Sequence, residues 1–320
     1  MVHAKSIISL APIQGITDFR FRKCFHKHFG GVDQYYAPYI RLEKDMIVPK
    51  AKIRDIDPVN NQGIKVIPQV MSNKAEEMLF LSDFLRDRGY AEMNWNLGCP
   101  YPMVTNRQLG AGLLPHPEII HGLLEEIFPQ INIGLSIKLR SGLEDPREIE
   151  RLIPILNKFP LKEIIIHPRI GRQLYKGSAD RGVFEALLPN SDHPVGYNGD
   201  LTDFVDIQEC QSRFTDVKHF MIGRALIANP FMTGEINGFE VPALSKMERF
   251  KKFHDCLTEE YLSALAGPSH LLSKMRGFWE YFSLSFTNSH KVFKRIKKVK
   301  SIEKYYSAVS YIMAEESWQA

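Results

Sequence analysis

The sequence predicts an α/β fold, a (β/α)8 TIM barrel followed by a small C-terminal all-helical domain. Three observations predict it. Eight short β-branched or apolar runs alternate with amphipathic stretches, which implies parallel strands joined by crossover helices. Polar residues gather at the C-terminal ends of those runs, where barrels of this class carry their active sites. Past Glu235 the strand cadence stops and the chain reads as helical and aromatic.

In chain order, the runs lie at residues 6–10, 34–37, 65–70, 92–96, 135–139, 163–167, 195–198 and 219–222. Helical periodicity fills the intervals, as at 75–88, 117–128, 147–159 and 203–211. A doubly wound sheet would also alternate, but its G-x-G-x-x-G signature after the first strand is missing. The barrel is expected over residues 1–240, a linker at 238–242, and the helical domain over 244–320.

Composition sets the bounds. At 320 residues and 44% apolar content, the chain can bury one large barrel core. No apolar run approaches the roughly 18 residues of a membrane span. The start leads straight into a strand without a signal-peptide layout, so a cytoplasmic, non-membrane protein is expected. Four cysteines, Cys24, Cys99, Cys210 and Cys256, form no C-x-x-C pair and no metal-ligand spacing. Cys24, Cys210 and Cys256 are expected as plain reduced thiols, and no metal is expected. The net charge of +4 is mildly basic.

The strand ends carry the chemistry. They hold Pro12-Ile13-Gln14, Gln69, Asn96 with Cys99, Lys138, His167, Asn198-Gly199-Asp200 and Gly223-Arg224. A buried amide or cation needs a partner, and seven such ends point to one polar ligand in the barrel mouth. Glycines and a cation after the seventh and eighth strands suit a phosphate. Gln69, both donor and acceptor, suits an imide edge. Phosphate with a flat heterocycle suggests flavin mononucleotide (FMN), with a phosphosugar substrate as the alternative. Cys99 sits between Gly98 and Pro100 on the turn leaving the fourth strand. A thiol with a pKa of about 8.5 is mostly protonated at neutral pH, so it can serve as proton donor or nucleophile.

These residues also carry a resemblance. The segments Ala11-Pro12-Ile13-Gln14-Gly15-Ile16-Thr17-Asp18, Asn96-Leu97-Gly98-Cys99-Pro100, Gly110-Ala111-Gly112, Ile137-Lys138-Leu139-Arg140, Asn198-Gly199-Asp200 and Met221-Ile222-Gly223-Arg224 stand in the order of the tRNA-dihydrouridine synthases, which the chain resembles. The resemblance implies an FMN-dependent oxidoreductase acting on a CH–CH bond. Such an enzyme uses NADPH to reduce the C5–C6 double bond of a D-loop uridine in tRNA. It implies flavin contacts at Pro12, Ile13, Gln14, Gln69, Lys138, His167, Asn198, Gly199, Asp200, Gly223 and Arg224, and a substrate contact at Asn96. It implies that Cys99 is the proton donor. The wording after Cys99 is similar to the bacterial C branch, which implies position 16. Three departures stand out: Ile13 for a usual methionine, Pro168 after His167 for a usual glycine, and Tyr197, expected to fill the barrel floor.

The C-terminal region contains Lys291-Val292-Phe293-Lys294-Arg295-Ile296-Lys297-Lys298-Val299-Lys300, with six cations and no acid. Val292, Ile296 and Val299 recur at helical spacing, so one face packs and the other stays cationic. Lys294, Arg295, Lys297 and Lys298 are therefore expected to contact tRNA phosphates. Aromatics at Phe278, Trp279, Tyr281 and Phe282 could stack on bases, although most are expected in the core. A monomer is expected. The alternatives are ribosomal RNA as substrate, an FMN barrel acting on a free pyrimidine, and an RNA-binding protein without chemistry.

Overall fold

Eight strands pair in parallel in sequence order, β1 with β2 through to β8 with β1, and close a barrel. They are β1 (Ile7–Leu10), β2 (Gln34–Ile40), β3 (Val66–Val70), β4 (Glu92–Leu97), β5 (Gly134–Gly142), β6 (Ile164–Ile170), β7 (Val195–Asn198) and β8 (His219–Ile222). The computed structural model describes residues 6–239 and 243–319. By contacts the chain divides into two compact units. The first comprises residues 1–12, 33–201 and 205–222; the second comprises 13–32, 202–204 and 223–320.

In the first unit, helices follow the strands as expected: Ala75–Arg86, Pro117–Ile127, Glu148–Leu156, Arg181–Leu187 and Phe204–Arg213. The strands are buried on both faces, the mark of a parallel sheet enclosed by helices. Ala11, Tyr36, Ile67, Ile165 and Met221 form one packed cluster. At the start of β8, His219 sits between the Ser9 hydroxyl (2.6 Å) and the Glu163 carboxylate (2.8 Å). Polar groups buried at this end of a barrel fix the fold rather than the chemistry. Tyr197 does not fill the barrel floor. It packs edge-on against Phe184 (4.8 Å) and tilted against Phe214 (5.5 Å). Its neighbours in β7 take the other face, since side chains alternate along a strand.

The second unit contains α1 (Phe19–His28), α2 (Ala243–Ala264), α3 (Pro268–Phe282), α4 (Ser289–Lys297) and α5 (Ile302–Glu315). Asp18 starts α1 by accepting from the backbone N–H groups of Arg20 (3.2 Å) and Phe21 (3.3 Å). Phe21, Phe25, Phe253, Phe278 and Phe282 make an aromatic core. Phe278, Trp279 and Phe282 are fully buried there, so they are closed to base stacking. Cys24 and Cys256 form a disulfide between α1 and α2, with Cα atoms 6.1 Å apart. This corrects the expectation of reduced thiols. The pair is separated by 232 positions, so only the packing of α1 on α2 brings it together. Cys99 and Cys210 are free. The expected linker at 238–242 lies partly outside the described residues. Among the described residues, no helix is long and apolar enough to cross a membrane.

Candidate active site

The turn after β4 is clamped from several sides. Asn96 Oδ1 accepts from the backbone N–H groups of Gly98 (3.0 Å) and Cys99 (2.9 Å). Arg140 Nε donates to the Gly98 carbonyl (3.0 Å), and its Nη1 donates to the Ile170 carbonyl (3.0 Å). The Cys99 carbonyl accepts from Ala111 N–H (3.0 Å). Gly110 lies beneath this turn with φ +56°, and a Cβ there would stand 2.7 Å from the Cys99 oxygen and 2.9 Å from its Cβ. Only glycine fits both the conformation and the space. Gly110→Ala is therefore expected to cost about 1–3 kcal/mol of stability and to displace the thiol. Urea unfolding together with the alkylation rate of Cys99 checks both effects.

The thiol itself is half-buried against Met71, Val104 and Leu109, beside Tyr39. Burial pushes the Cys99 thiol up, outweighing the Tyr101 backbone N–H, the Arg140 charge and the hydrogen bond with the Tyr39 hydroxyl. A thiol raised this way keeps its proton at neutral pH. That environment suits a general acid better than an activated nucleophile.

Two more groups of the expected site residues belong to the same unit. Lys138 lies opposite Asn96 in the β4–β5 register. Burial, then the Arg140 charge, bring its ammonium down to about 7. Among the described residues it has no carboxylate partner. His167 lies opposite Arg140 in the β5–β6 register and is buried. Its Nε2 meets Arg169 Nη1 (3.2 Å), and Arg169 Nη2 holds both Asp200 oxygens (2.7 and 2.6 Å). Asp200 also accepts from Ala179 N–H (2.6 Å), so its carboxylate is engaged within the loop. Asn198 donates to the Met221 carbonyl (2.7 Å). Gly199, at φ +148°, leaves no room for a Cβ beside Ala179 and His167. Pro12 stands two residues past the end of β1, half-buried.

Gln69, on β3, is fully buried in the first unit as well; the other expected residues belong to the second unit. Ile13 N–H donates to Thr17 Oγ1 (2.8 Å), and the Ile13 carbonyl accepts from Ile16 N–H (3.0 Å), which shapes the turn bearing exposed Gln14. Gly223 precedes the short helix Arg224–Ala228, and Arg224 is exposed. On α4, Val292 and Ile296 are buried, while Lys294 and Lys297 are exposed and Lys298 caps the helix end. Arg295 lies over the Tyr311 ring at 3.6 Å.

A family model described as dihydrouridine synthase (Dus) matches residues 9–310. The chain belongs to that family. It is 25% identical over 262 residues to a probable tRNA-dihydrouridine synthase of Rhodobacter capsulatus, covering 81% of this chain and 80% of the other. It is 25% identical over 233 residues to tRNA-dihydrouridine synthase B of Escherichia coli, covering 72% and 70%. Among solved structures, histamine dehydrogenase from Rhizobium sp. 4-9 aligns with a TM-score of 0.53 at 10% identity. That alignment covers 78% of this chain and 48% of the other. A variant of NCR from Zymomonas mobilis aligns at 0.50 and 11% identity, covering 72% and 86%. Both show the barrel fold.

For this dihydrouridine synthase family member, reading the strand ends missed Arg140, Tyr39 and Arg169. Arg140 was findable: it stands two residues beyond Lys138 on one strand and therefore shares its face.

Proposed function

We propose that this chain is a tRNA-dihydrouridine synthase that binds FMN, takes electrons from NADPH, and reduces the C5–C6 double bond of a D-loop uridine. The observation that carries the reading is the half-buried thiol of Cys99, pushed up by its burial, on a backbone clamped by Asn96, Arg140 and Ala111. Family membership and the tRNA-modifying names of the relatives support it.

The residues fit the flavin. Lys138 is a half-buried cation that, among the described residues, has no carboxylate partner, as a site for an anionic ligand requires. Pro12, Ile13, Gln14, His167, Asn198, Gly199, Asp200, Gly223 and Arg224 are further contacts, and Gln69, fully buried with its amide bonded to Asn94 and Asn96, acts on the heterocycle side through Asn96. When bound and reduced, FMN supplies a hydride to uracil C6. Cys99 then delivers its proton to C5, so two hydrogens are added and the thiolate is later reprotonated from solvent. Asn96 contacts the uracil, and a uridine in folded RNA must be extruded to reach it. Lys294, Arg295, Lys297 and Lys298 neutralise RNA phosphates.

Lys138 gives a pH test. Its ammonium is depressed to about 7, so above that pH it is largely neutral, and an anion beside it restores the charge. Binding of FMN to the free protein at pH 8 is expected to take up nearly one proton, and uptake should fall to about half near pH 7 and vanish about one unit below it. Calorimetry in buffers of different ionisation enthalpy measures this. Equal heats across buffers at pH 8 would remove Lys138 from the cofactor site.

Mapping dihydrouridine in RNA from cells with and without the gene tests the function. The reading expects one tRNA position to lose the modification; loss confined to ribosomal RNA would contradict it.

A further inference from the structure

Beneath Cys99, a single hydrogen-bonded chain runs through the barrel. It uses Glu92, Asn94 and Asn96, which alternate along β4 and so share its inner face. Ser136 stitches the lower pair: its hydroxyl donates to Glu92 Oε1 (2.8 Å) and accepts from Asn94 Nδ2 (3.0 Å). Gln69 stitches the upper pair: its Nε2 donates to Asn94 Oδ1 (2.8 Å), and its Oε1 accepts from Asn96 Nδ2 (2.6 Å). Gln69, Asn94 and Ser136 occupy one register layer across β3, β4 and β5, and all three are fully buried.

The chain has a direction. A carboxylate only accepts, so Ser136 must spend its hydrogen on Glu92 and offer its oxygen to Asn94. Asn94 must then present its N–H₂ downward and its oxygen to Gln69. The same logic turns Gln69, and then Asn96, whose oxygen is left facing the Gly98 and Cys99 amides. Reversing one buried amide breaks its neighbour, so the members act together.

We infer that Glu92, Ser136 and Asn94 are positioning residues for catalysis: they orient the Gln69 and Asn96 amides and thereby pin the Cys99 turn. The inference rests on the reading of Cys99 as the proton donor. No flavin, RNA or thiol contact is assigned to Glu92, Ser136 or Asn94.

Asn94→Leu keeps the heavy-atom count and branching, though with more bulk, and removes both bonds; Ser136→Ala makes the smaller cut at the far end and retains a packed barrel if Asn94→Leu fails to fold. Three rates are read in the FMN-loaded protein: alkylation of Cys99 by iodoacetamide, flavin reduction by NADPH, and uridine reduction in a single turnover. Asn94→Leu is expected to speed alkylation about 5-fold and slow uridine reduction about 10-fold or more, with flavin reduction within about 2-fold of wild type. Ser136→Ala should shift the same two rates in the same directions by a smaller factor. Wild-type alkylation and uridine reduction in a folded variant would overturn the inference. Cys99→Ala, run beside them, separates the two claims. Full turnover there would sink the donor reading, while the alkylation rates would still judge the positioning chain.

Discussion

Cys99→Ala is expected to bind FMN and to be reduced by NADPH at the wild-type rate, yet to lose uridine reduction by about 10²–10⁴-fold, the usual worth of a positioned general acid. The backbone bonds that hold the turn do not involve the thiol, so the substitution leaves the Asn96 and Arg140 clamps in place. Rapid-mixing absorbance of the flavin and mass analysis of the tRNA separate the two half-reactions. The pH profile carries a second check. Burial raises the thiol above its ordinary value of about 8.5. The acid form is the active one, so turnover should hold across neutral pH and fall only as pH rises through the raised thiol value. A profile that falls on acidification through neutrality would point to a thiolate nucleophile instead.

The second large effect belongs to α4. Reversing charge at Lys294, Arg295, Lys297 and Lys298 is expected to weaken tRNA binding by about 100-fold or more and to flatten the salt slope by about 3. The apolar anchors Val292 and Ile296 are untouched, so the helix should still fold. Filter binding across a salt series measures both quantities. Unchanged affinity and slope would leave these cations as an ordinary solvated helix face.

Much of the barrel was readable because parallel strands are near-continuous apolar runs, and all eight lie where the runs predict. What was lost follows from local interruptions. The second run reads as 34–37, and the residue after it, Pro38, cannot donate to a ladder. The strand continues to Ile40 through a register shift between Ala37 and Ile40. Tyr39, which meets Cys99, lies in that extension. The fifth and sixth strands likewise run on to Gly142 and Ile170, which brings Arg140 and Arg169 onto the strands.

The site was legible in types more than in partnerships. Polar residues at strand ends announce a ligand, but which amide turns toward which neighbour is decided across strands. Asp200 illustrates this: its carboxylate is held by Arg169 and Ala179, a pairing that sequence spacing does not show. Tyr197 was placed in the barrel floor by its size, whereas strand alternation sends it outward to Phe184 and Phe214. The Cys24–Cys256 disulfide joins helices 232 positions apart, beyond any local pattern.

The most direct test incubates the purified, FMN-loaded chain with NADPH and unmodified tRNA, then maps dihydrouridine by mass spectrometry, with ribosomal RNA and free uridine as parallel substrates. The account predicts dihydrouridine at a D-loop position of the tRNA, and none with Cys99→Ala. Reduction of free uridine with the tRNA untouched, or equal product from Cys99→Ala, would contradict it.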